Sequence, residues 1–321
     1  MRILVTGGAG FIGSHLCERL VSDGHTVTTI DDFSTGRVSN LSNLNSANSF
    51  TVIEGSILDT HILNPLIKDA DYIFHLAAAV GVFNIVNNPL ASLLTNIRGT
   101  ENVLEAAHAT RIPVFLTSSS EVYGKNISDS LKESDDRILG SPVTLRWSYS
   151  EAKAIDESLA YAYFVEKQLE TRIVRFFNTV GPRQLGAYGM VVPRFVNSAL
   201  NNEPITIFGD GNQTRCFAHV YDVIDAVIAI AFADNTIGKV INVGNDFEIS
   251  INGLAKKIIE EIGSNSEMVH VPYEEAYGDG FVDMERRVPN INLINQLVSW
   301  KPKRDLSTMI ADISAEMKKS S

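Results

Sequence analysis

Tyr149 and Lys153 are a pair of side chains whose types and spacing could do acid–base chemistry. They stand four residues apart in a stretch of helical character, so both project from one helix face, one turn apart. An ammonium group beside a phenol stabilises the phenolate, so this spacing predicts that the pKa of Tyr149 falls towards neutrality. Such a phenolate can take a proton from a hydroxyl group while hydride leaves the same carbon.

A glycine-rich stretch near the start of the chain could bind a diphosphate. Gly7, Gly10 and Gly13 follow an apolar run and open a helical pattern. In such a loop the first glycine permits a tight turn, the second lets the backbone approach a diphosphate, and the third allows close helix–strand packing. Asp31 closes the second apolar run, where its carboxylate can accept hydrogen bonds from ribose hydroxyls and repel a 2′-phosphate. The sequence therefore predicts NAD rather than NADP.

Hydroxyl side chains gather at the end of a later apolar run. Ser119 and Ser120 are followed by Glu121, upstream of the Tyr149 helix. At the carboxyl end of a parallel strand such side chains point into the ligand crevice. We therefore expect this segment to lie beside Tyr149, although a Ser-rich run can also be a simple loop.

Strands and helices alternate over the first 180 residues and must position these groups. Near-continuous apolar character in the short runs indicates strands buried on both faces of a parallel sheet. The pattern predicts an α/β fold with a doubly wound parallel sheet of the Rossmann type. The predicted strands are Ile3–Thr6, Thr26–Ile30, Thr51–Glu54, Tyr72–His75, Val114–Thr117 and Thr171–Phe176, and the helices are Gly13–Ser22, Thr60–Lys68, Pro89–Ala109 and Tyr149–Lys167.

Shorter elements follow from about Gly181, in a stretch rich in Gly, Pro and Asn. We predict an NAD-binding domain over residues 1–180, with segments near 215–245 returning to it. Residues 181–321 are predicted to form mainly a smaller α/β C-terminal substrate domain built from interleaved segments. The further predicted elements are helices at Val191–Leu200, Tyr221–Phe232, Ser250–Ile262 and Leu306–Met317, and strands at Pro204–Ile207 and Val240–Val243.

Composition narrows the classes of function. The 321 residues carry 27 Lys plus Arg against 38 Asp plus Glu, a formal net charge of −11. That acidic balance argues against nucleic acid or an anionic membrane as the main partner. Two cysteines exclude a disulfide framework, and no apolar run reaches the roughly 18 residues of a membrane helix. No metal site is expected, and the absence of a signal-peptide pattern predicts a cytoplasmic protein.

The glycine spacing, with Tyr149 and Lys153, resembles the extended short-chain dehydrogenase/reductase superfamily of nucleotide-sugar enzymes. The resemblance implies that Ser119 is the catalytic hydroxyl. It departs at Ser56, where the family commonly has an Asp that meets adenine. The cofactor-binding residues implied are Gly7, Gly10, Phe11, Ile12, Gly13, Asp31, Asp32, Ser56, Ile57, Leu76, Ala77, Ala78, Asn96, Tyr149 and Lys153.

The same resemblance implies a substrate-binding set. Asn178 would bind the substrate diphosphate or sugar, Arg215 the diphosphate or a sugar carboxylate, and Arg287 would be a second phosphate clamp. Glu121 matches a position that carries Glu in the dehydratases and decarboxylases, where it could act as a base or in proton traffic near C5 and C6. The complete set is Ser119, Ser120, Glu121, Asn178, Arg183, Arg215 and Arg287.

Several stretches are most similar to UDP-glucuronate decarboxylases, including UDP-apiose/UDP-xylose synthases. These are residues 120–125, Arg146 to Tyr149, residues 287–291 and residues 300–303. The resemblance implies oxidation at C4 by NAD⁺ and loss of CO₂ from the resulting β-keto acid. The product would be UDP-xylose or a UDP-4-keto-pentose.

Three alternatives remain at this stage. A UDP-sugar 4-epimerase would use the same Tyr149 and NAD. An NDP-hexose 4,6-dehydratase would use Glu121 to take the C5 proton. A nucleotide-sensing binding protein is least favoured, because such proteins often lose Tyr149 or Lys153 and this chain keeps both. The resemblance also implies a homodimer through Pro89–Ala109 and Tyr149–Lys167, although an apolar face on those helices could instead be buried internally.

Overall fold

A central sheet of seven parallel strands organises the molecule. The computed structural model describes residues 1–81, 87–186, 190–272, 275, 284 and 286–320. The strands are β1 (Arg2–Thr6), β2 (Thr26–Asp31), β3 (Phe50–Glu54), β4 (Tyr72–His75), β5 (Val114–Ser119), β6 (Thr171–Phe176), β7 (Thr179–Val180), β8 (Ile205–Phe208), β9 (Thr214–Cys216), β10 (Ala218–His219), β11 (Val240–Val243), β12 (Glu248–Ser250) and β13 (Met268–Val271).

The strand order of the large sheet is β11-β6-β5-β4-β1-β2-β3. Each neighbouring pair is parallel. The order reverses between β1 and β4, and ligands of open parallel sheets bind at such a switch point, outside the carboxyl ends of the strands. The predicted doubly wound α/β fold is confirmed.

Nine helices in the described part of the chain flank or follow the sheet. They are α1 (Phe11–Ser22), α2 (Thr60–Lys68), α3 (Pro89–Thr110), α4 (Ser148–Lys167), α5 (Val191–Leu200), α6 (Val220–Ala231), α7 (Ile251–Ile262), α8 (Asn292–Val298) and α9 (Leu306–Ser320). The predicted helices match these within a few residues, because each carries apolar side chains at helical spacing. The α8 helix, the short strands β7, β9 and β10, and the strands β12 and β13 were not predicted.

Two apolar cores cover the two faces of the sheet. On one face α1 and α6 pack against the strands, and on the other face α2, α3 and α4 do so. Each fully buried Leu, Ile or Phe contributes about 1.5–3 kcal/mol, so these faces hold the strand ends in place. The polar stretch 31–48 contains a 3₁₀ helix at Val38–Leu44, because Leu41 and Leu44 are buried in the core beside α1.

A third core lies in the C-terminal part of the chain. It joins α5, α7 and α9 to β8. The α6 helix and β11 come later in the chain than β7, yet they belong to the large sheet and its core. The return of these segments is the interleaving that the sequence analysis predicted, although the domain boundary at residue 180 stays a prediction.

The long connection between residues 124 and 146 is fixed by Trp147. This side chain is 1% exposed, and a Cβ placed on Gly140 would come within 2.4 Å of its indole nitrogen. The guanidinium of Arg146 lies 5.3 Å from the indole centroid. The connection also pairs with a C-terminal segment, since Leu131 N–H donates to Val288 at 2.8 Å. These contacts bring residues around 287 to the carboxyl end of β5.

Each helix in the described part of the chain is too short or too polar to cross a lipid bilayer.

Candidate active site

A cavity of about 730 Å³ opens at the carboxyl ends of the sheet strands. It brings together most of the residues that the sequence singled out, from both ends of the chain. Those that line it are Gly7, Gly10, Phe11, Ile12, Gly13, Asp31, Asp32, Ile57, Leu76, Ala77, Ala78, Ser119, Ser120, Glu121, Tyr149, Lys153, Asn178, Arg183, Arg215 and Arg287.

Two predicted cofactor residues are not among the described residues that line the cavity. Ser56 stands in the chain between Gly55 and Ile57, which do line the cavity. Its hydroxyl oxygen accepts a hydrogen bond from the Leu58 N–H at 3.2 Å. Asn96 is 1% exposed, and its side chain holds Ala79 by two hydrogen bonds of 2.8 and 3.2 Å. Asn96 therefore braces the loop that follows β4, and the lining residues of that loop are held in place by it.

The glycine loop, residues 6–13, leaves no room for side chains at its ends. Gly7 has φ of +75°, and a Cβ there would lie 2.7 Å from the Ala77 nitrogen. A Cβ on Gly13 would lie 2.2 Å from the Gly7 carbonyl oxygen. Gly10 is the N-cap of α1 and offers no side-chain cap, so the N–H groups of the first turn face the cavity. This cradle fits the diphosphate of a dinucleotide.

Asp31 is held rigidly at the end of β2. Its carboxylate accepts the Ala9 N–H at 2.8 Å and the Phe33 N–H at 2.9 Å. Burial raises the pKa of Asp31, and these two backbone hydrogen bonds act in the opposite direction. Asp32 is exposed and accepts hydrogen bonds from Ser34. Asp31 therefore fits the ribose-binding carboxylate that the sequence predicted.

Tyr149 and Lys153 lie at the start of α4, and Lys153 forms an ion pair with Asp156 on the same helix. Its ammonium donates to the Thr117 carbonyl at 3.1 Å and to Asp156 at 3.1 Å. Burial raises the pKa of Tyr149, the negative charges of Glu121 and Asp156 add to this, and a hydrogen bond to Ser119 opposes it. The chain's own residues therefore act against the predicted fall of the Tyr149 pKa, and burial is the largest cause.

A charged cluster of Glu121, Arg146 and Arg287 lies beside Tyr149. The two carboxylate oxygens of Glu121 meet Arg146 at 2.7 Å and Arg287 at 2.5 Å. Burial alone would raise the pKa of Glu121, yet the two guanidinium charges outweigh it and hold that pKa at about 2. Glu121 is therefore ionised at neutral pH, and its role as a base or in proton traffic stays a prediction.

Arg287 lines the cavity beside Glu121 and Asn178, and its role as a phosphate clamp stays a prediction. Besides Glu121, it donates to the Asn178 side chain at 2.5 Å. Asn178 in turn donates to the Cys216 carbonyl at 3.0 Å. The neighbouring Arg286 points elsewhere and pairs with Glu248 at 2.7 Å. Of these two neighbouring arginines, Arg287 lines the cavity.

Arg183 lines the cavity beside α1. Its guanidinium donates to Ser14 at 3.1 Å and to Glu18 at 2.6 Å, both on α1. Its predicted contact with the substrate stays a prediction. Arg215 does line the substrate side, and it donates to its neighbouring Thr214 carbonyl at 2.8 Å.

Sequence reasoning missed Arg146 and Asp156 as parts of the site. Arg146 stands three residues before Tyr149, inside a stretch that had been used only to judge resemblance. Asp156 stands three residues after Lys153, and that spacing places both on one helix face. A carboxylate at that position on a buried face was a signal for an ion pair with Lys153.

Comparison with known protein families and structures agrees with this geometry. The model of the NAD dependent epimerase/dehydratase family matches residues 3–244. A UDP-N-acetyl-alpha-D-glucosaminuronate decarboxylase of Bacillus cytotoxicus is 40% identical over 302 residues, which cover 94% of this chain and 92% of that protein. UDP-glucuronic acid decarboxylase 1 of Xenopus tropicalis is 36% identical over 303 residues, covering 94% of this chain and 68% of that protein.

A solved structure with bound ligands shares the whole fold. The UDP-glucuronic acid 4-epimerase from Bacillus cereus, in complex with UDP-glucuronic acid and NAD, superimposes with a TM-score of 0.90. It is 30% identical in sequence, and the match covers 100% of both chains.

Proposed function

The chain belongs to the NAD dependent epimerase/dehydratase family, and from this premise we propose that it decarboxylates a UDP-linked uronic acid through a 4-keto intermediate. The observation that carries this proposal is the charged cluster. Two guanidinium groups surround one carboxylate, so the cluster has a net charge of +1 next to Tyr149. Among the described residues, the buried Nε of Arg287 has no hydrogen-bond partner, and it can still bind an anion.

The excess positive charge selects for an acidic sugar. A carboxylate at C6 can bind a guanidinium through two oxygens, whereas the hydroxymethyl group of a neutral hexose leaves the charge without a partner. This favours a uronic acid over the glucose-type substrates of 4,6-dehydratases and glucose epimerases. The two decarboxylases similar to this chain act, by their names, on UDP-linked uronic acids.

The cofactor half of the cavity would hold NAD through residues already described. The glycine loop binds the diphosphate and Asp31 the ribose, while α1 places its positive end towards the anion. When bound, NAD supplies a hydride acceptor at the sugar C4 and returns the hydride later. Arg183 neutralises negative charge beside the loop. An ion pair of 2.6 Å with Glu18 on α1 holds its guanidinium there.

In the reaction that we propose, Tyr149 takes the proton of the C4 hydroxyl as the C4 hydride leaves. The resulting ketone is β to the C6 carboxylate, so the C5–C6 bond breaks and its electron pair moves into the carbonyl as CO₂ departs. Ser119 and Tyr149 hold the enolate oxygen by hydrogen bonds. A solvent proton then adds to C5. Glu121 stays ionised throughout and holds Arg146 and Arg287 in place.

The sugar of the proposed substrate carries either a hydroxyl or an N-acetyl group at C2. The relative at 40% identity is named for the N-acetylated substrate, and the one at 36% is named for UDP-glucuronic acid. A second candidate reaction is 4-epimerisation of a UDP-uronic acid, favoured by the structural likeness to the Bacillus cereus epimerase. Epimerisation would keep C6 and return hydride to the other face of C4.

The test is incubation of the purified protein with NAD⁺ and each of the two UDP-uronic acids, followed by proton NMR of the sugar. We expect loss of the uronic acid H5 signal, pentose or keto-pentose signals, and release of CO₂ from one of them. Retention of all carbons with inversion at C4 would instead establish the epimerase. Turnover of UDP-glucose, dTDP-glucose or GDP-mannose alone would contradict both reactions.

A Tyr149→Phe variant is the control, because it keeps the ring and removes the proton acceptor. We expect it to lose at least about 1000-fold in turnover, within the range for a general base. Turnover close to that of the unmodified protein would refute the role of Tyr149.

The proposal includes a homodimer in the cytoplasm. Residues on α3 and α4 expose apolar side chains: Leu90 is 69% exposed, Val165 57% and Tyr161 51%. A pair of such helices from each subunit could bury these side chains together. Light scattering should then give about twice the 35.2 kDa mass of one chain, and the mass of one chain would contradict the dimer.

The cytoplasm suits the two buried free thiols, Cys17 and Cys216.

A further inference from the structure

Asp156 is a buried carboxylate inside the active-site helix that the proposed reaction does not use. Its side chain is fully buried, and that of its partner Lys153 is 3% exposed. Their contact of 3.1 Å spans one turn of α4. A buried carboxylate is rarely retained unless it is paired, so this ion pair needs a reason.

Uncharged hydrogen-bonding groups surround Asp156 on the side away from the cavity. Thr100 on α3 interacts with the carboxylate and lies 3.1 Å from His75 on β4. Burial lowers the pKa of His75 to about 3, and the Lys153 charge acts in the same direction. The histidine is therefore neutral at neutral pH, and it does not compete with Lys153 for the Asp156 carboxylate.

Other ionisable groups near Tyr149 come from the elements packed against α4. Glu121 after β5 is balanced by Arg146 and Arg287. Glu157 on α4 is balanced by Arg175 on β6, at 2.7 Å. Because these groups are paired among themselves, Asp156 is the carboxylate that acts on Lys153 directly.

We propose that Asp156 is a positioning residue that holds the Lys153 ammonium against the carboxyl end of β5 and offsets part of its charge. The inference rests on the proposed role of Tyr149 as the proton acceptor. With Asp156 in place, its negative charge offsets part of the Lys153 charge, so Tyr149 gains less stabilisation of its phenolate than Lys153 alone would give.

Replacing Asp156 tests this directly, because Asp156→Asn keeps the shape and an oxygen that Lys153 can bind. The variant leaves one uncompensated positive charge near Tyr149. We expect the Tyr149 phenolate to form at a pH lower by about one unit, the size of shift that a nearby opposite charge produces. The acid limb of the pH dependence of kcat should move the same way, with KM little changed.

The phenolate is measured in the NAD-loaded protein from its ultraviolet absorbance across a pH series, as the difference between each protein and the same protein carrying Tyr149→Phe. Asp222→Asn is the matched control. Asp222 lies on α6, outside the active site, and is 1% exposed. It forms an ion pair with Arg304 at 2.5 Å. We expect that variant to lose stability and leave the Tyr149 midpoint where it is.

An unmoved or raised Tyr149 midpoint in folded Asp156→Asn would overturn the inference. If that variant does not fold, Asp156→Ser makes the same test, because it removes the charge and leaves room for water. The absorbance titration does not need a substrate. If the protein turned over no UDP-uronic acid, the proposed function would fail while the midpoint still decided the role of Asp156.

Discussion

The glycine loop and the charged cluster lie in one cavity but are built by different means. The loop takes its shape from backbone conformation and from the absence of side chains, over residues that are adjacent in the chain. The cluster takes its shape from charges that come from three segments of the chain, and Glu121 and Arg287 are 166 positions apart. From this comparison we predict that binding of the cofactor diphosphate depends on space, and that the choice of substrate depends on charge.

The largest effect that would test this comparison is expected in the glycine loop. In Gly13→Ala the new methyl group would lie 2.2 Å from the Gly7 carbonyl oxygen, so the loop must shift away from the diphosphate. We expect NAD binding to weaken by about 100-fold, which corresponds to roughly 3 kcal/mol of overpacking. Calorimetric titration with NAD⁺ measures it.

Gly24→Ala is the control for that variant. Gly24 has φ of +86°, but a Cβ there meets nothing within 4 Å. It should lower the free energy of unfolding slightly and leave NAD affinity unchanged. Equal affinity losses in both variants would show that general loop strain, and not space at the diphosphate, governs binding.

An intermediate effect is expected in the charged cluster when charge is kept and geometry is lost. Arg287→Lys retains the positive charge but cannot reach both Glu121 and Asn178 as a planar fork does. We expect kcat/KM for the UDP-uronic acid to fall by about 30-fold, the value of one or two charged hydrogen bonds. Steady-state kinetics measure this loss.

Arg286→Lys is the matched control for Arg287→Lys. Arg286 is the preceding residue, and its side chain is 37% exposed in an ion pair with Glu248. Exposed pairs of this kind contribute little, so kcat/KM should stay close to that of the unmodified protein. A comparable loss in both variants would contradict a specific role for the charged cluster.

The smallest effect is expected at Asp31, the one residue of the proposed cofactor side whose charge we expect to affect NAD affinity. Asp31→Asn removes the negative charge and places an amide where the carboxylate accepts two backbone N–H groups. We expect about tenfold weaker NAD binding and a smaller preference over NADP, because the repulsion of a 2′-phosphate is lost. Asp32→Asn, at the exposed neighbouring residue, should change neither affinity. A retained preference for NAD in Asp31→Asn would show that shape alone rejects NADP.

Much of the fold and the cofactor side could be predicted from sequence because the signals are local. Val191–Leu200 and Tyr72–His75 were predicted with the bounds that the structure has. The spacing of Gly7, Gly10 and Gly13 carries the whole geometry of a turn followed by a helix. Short strands such as Thr179–Val180 were missed, because two residues carry no periodicity.

For the proposed substrate side, the sequence predicted which residues belong to the site but not the contacts that they make. Arg287 and Glu121 were both predicted as site residues, but with separate roles, and the structure pairs them at 2.5 Å. The ion pair of Arg183 with Glu18 on α1 was not predicted. Contacts of this kind depend on how distant segments pack, which no spacing along the chain specifies.

The sequence by itself determined the parallel sheet, the turn of the glycine loop, the place of Asp31 at the end of β2 and the Tyr149–Lys153 pair. Each of these depends on backbone geometry or on helical spacing among near neighbours. The tertiary structure alone decided the protonation state of Glu121, the location of Arg287 and the partner of Lys153. Those properties are electrostatic, and a pKa depends on burial and on every charge within a few ångströms, whatever its position in the chain.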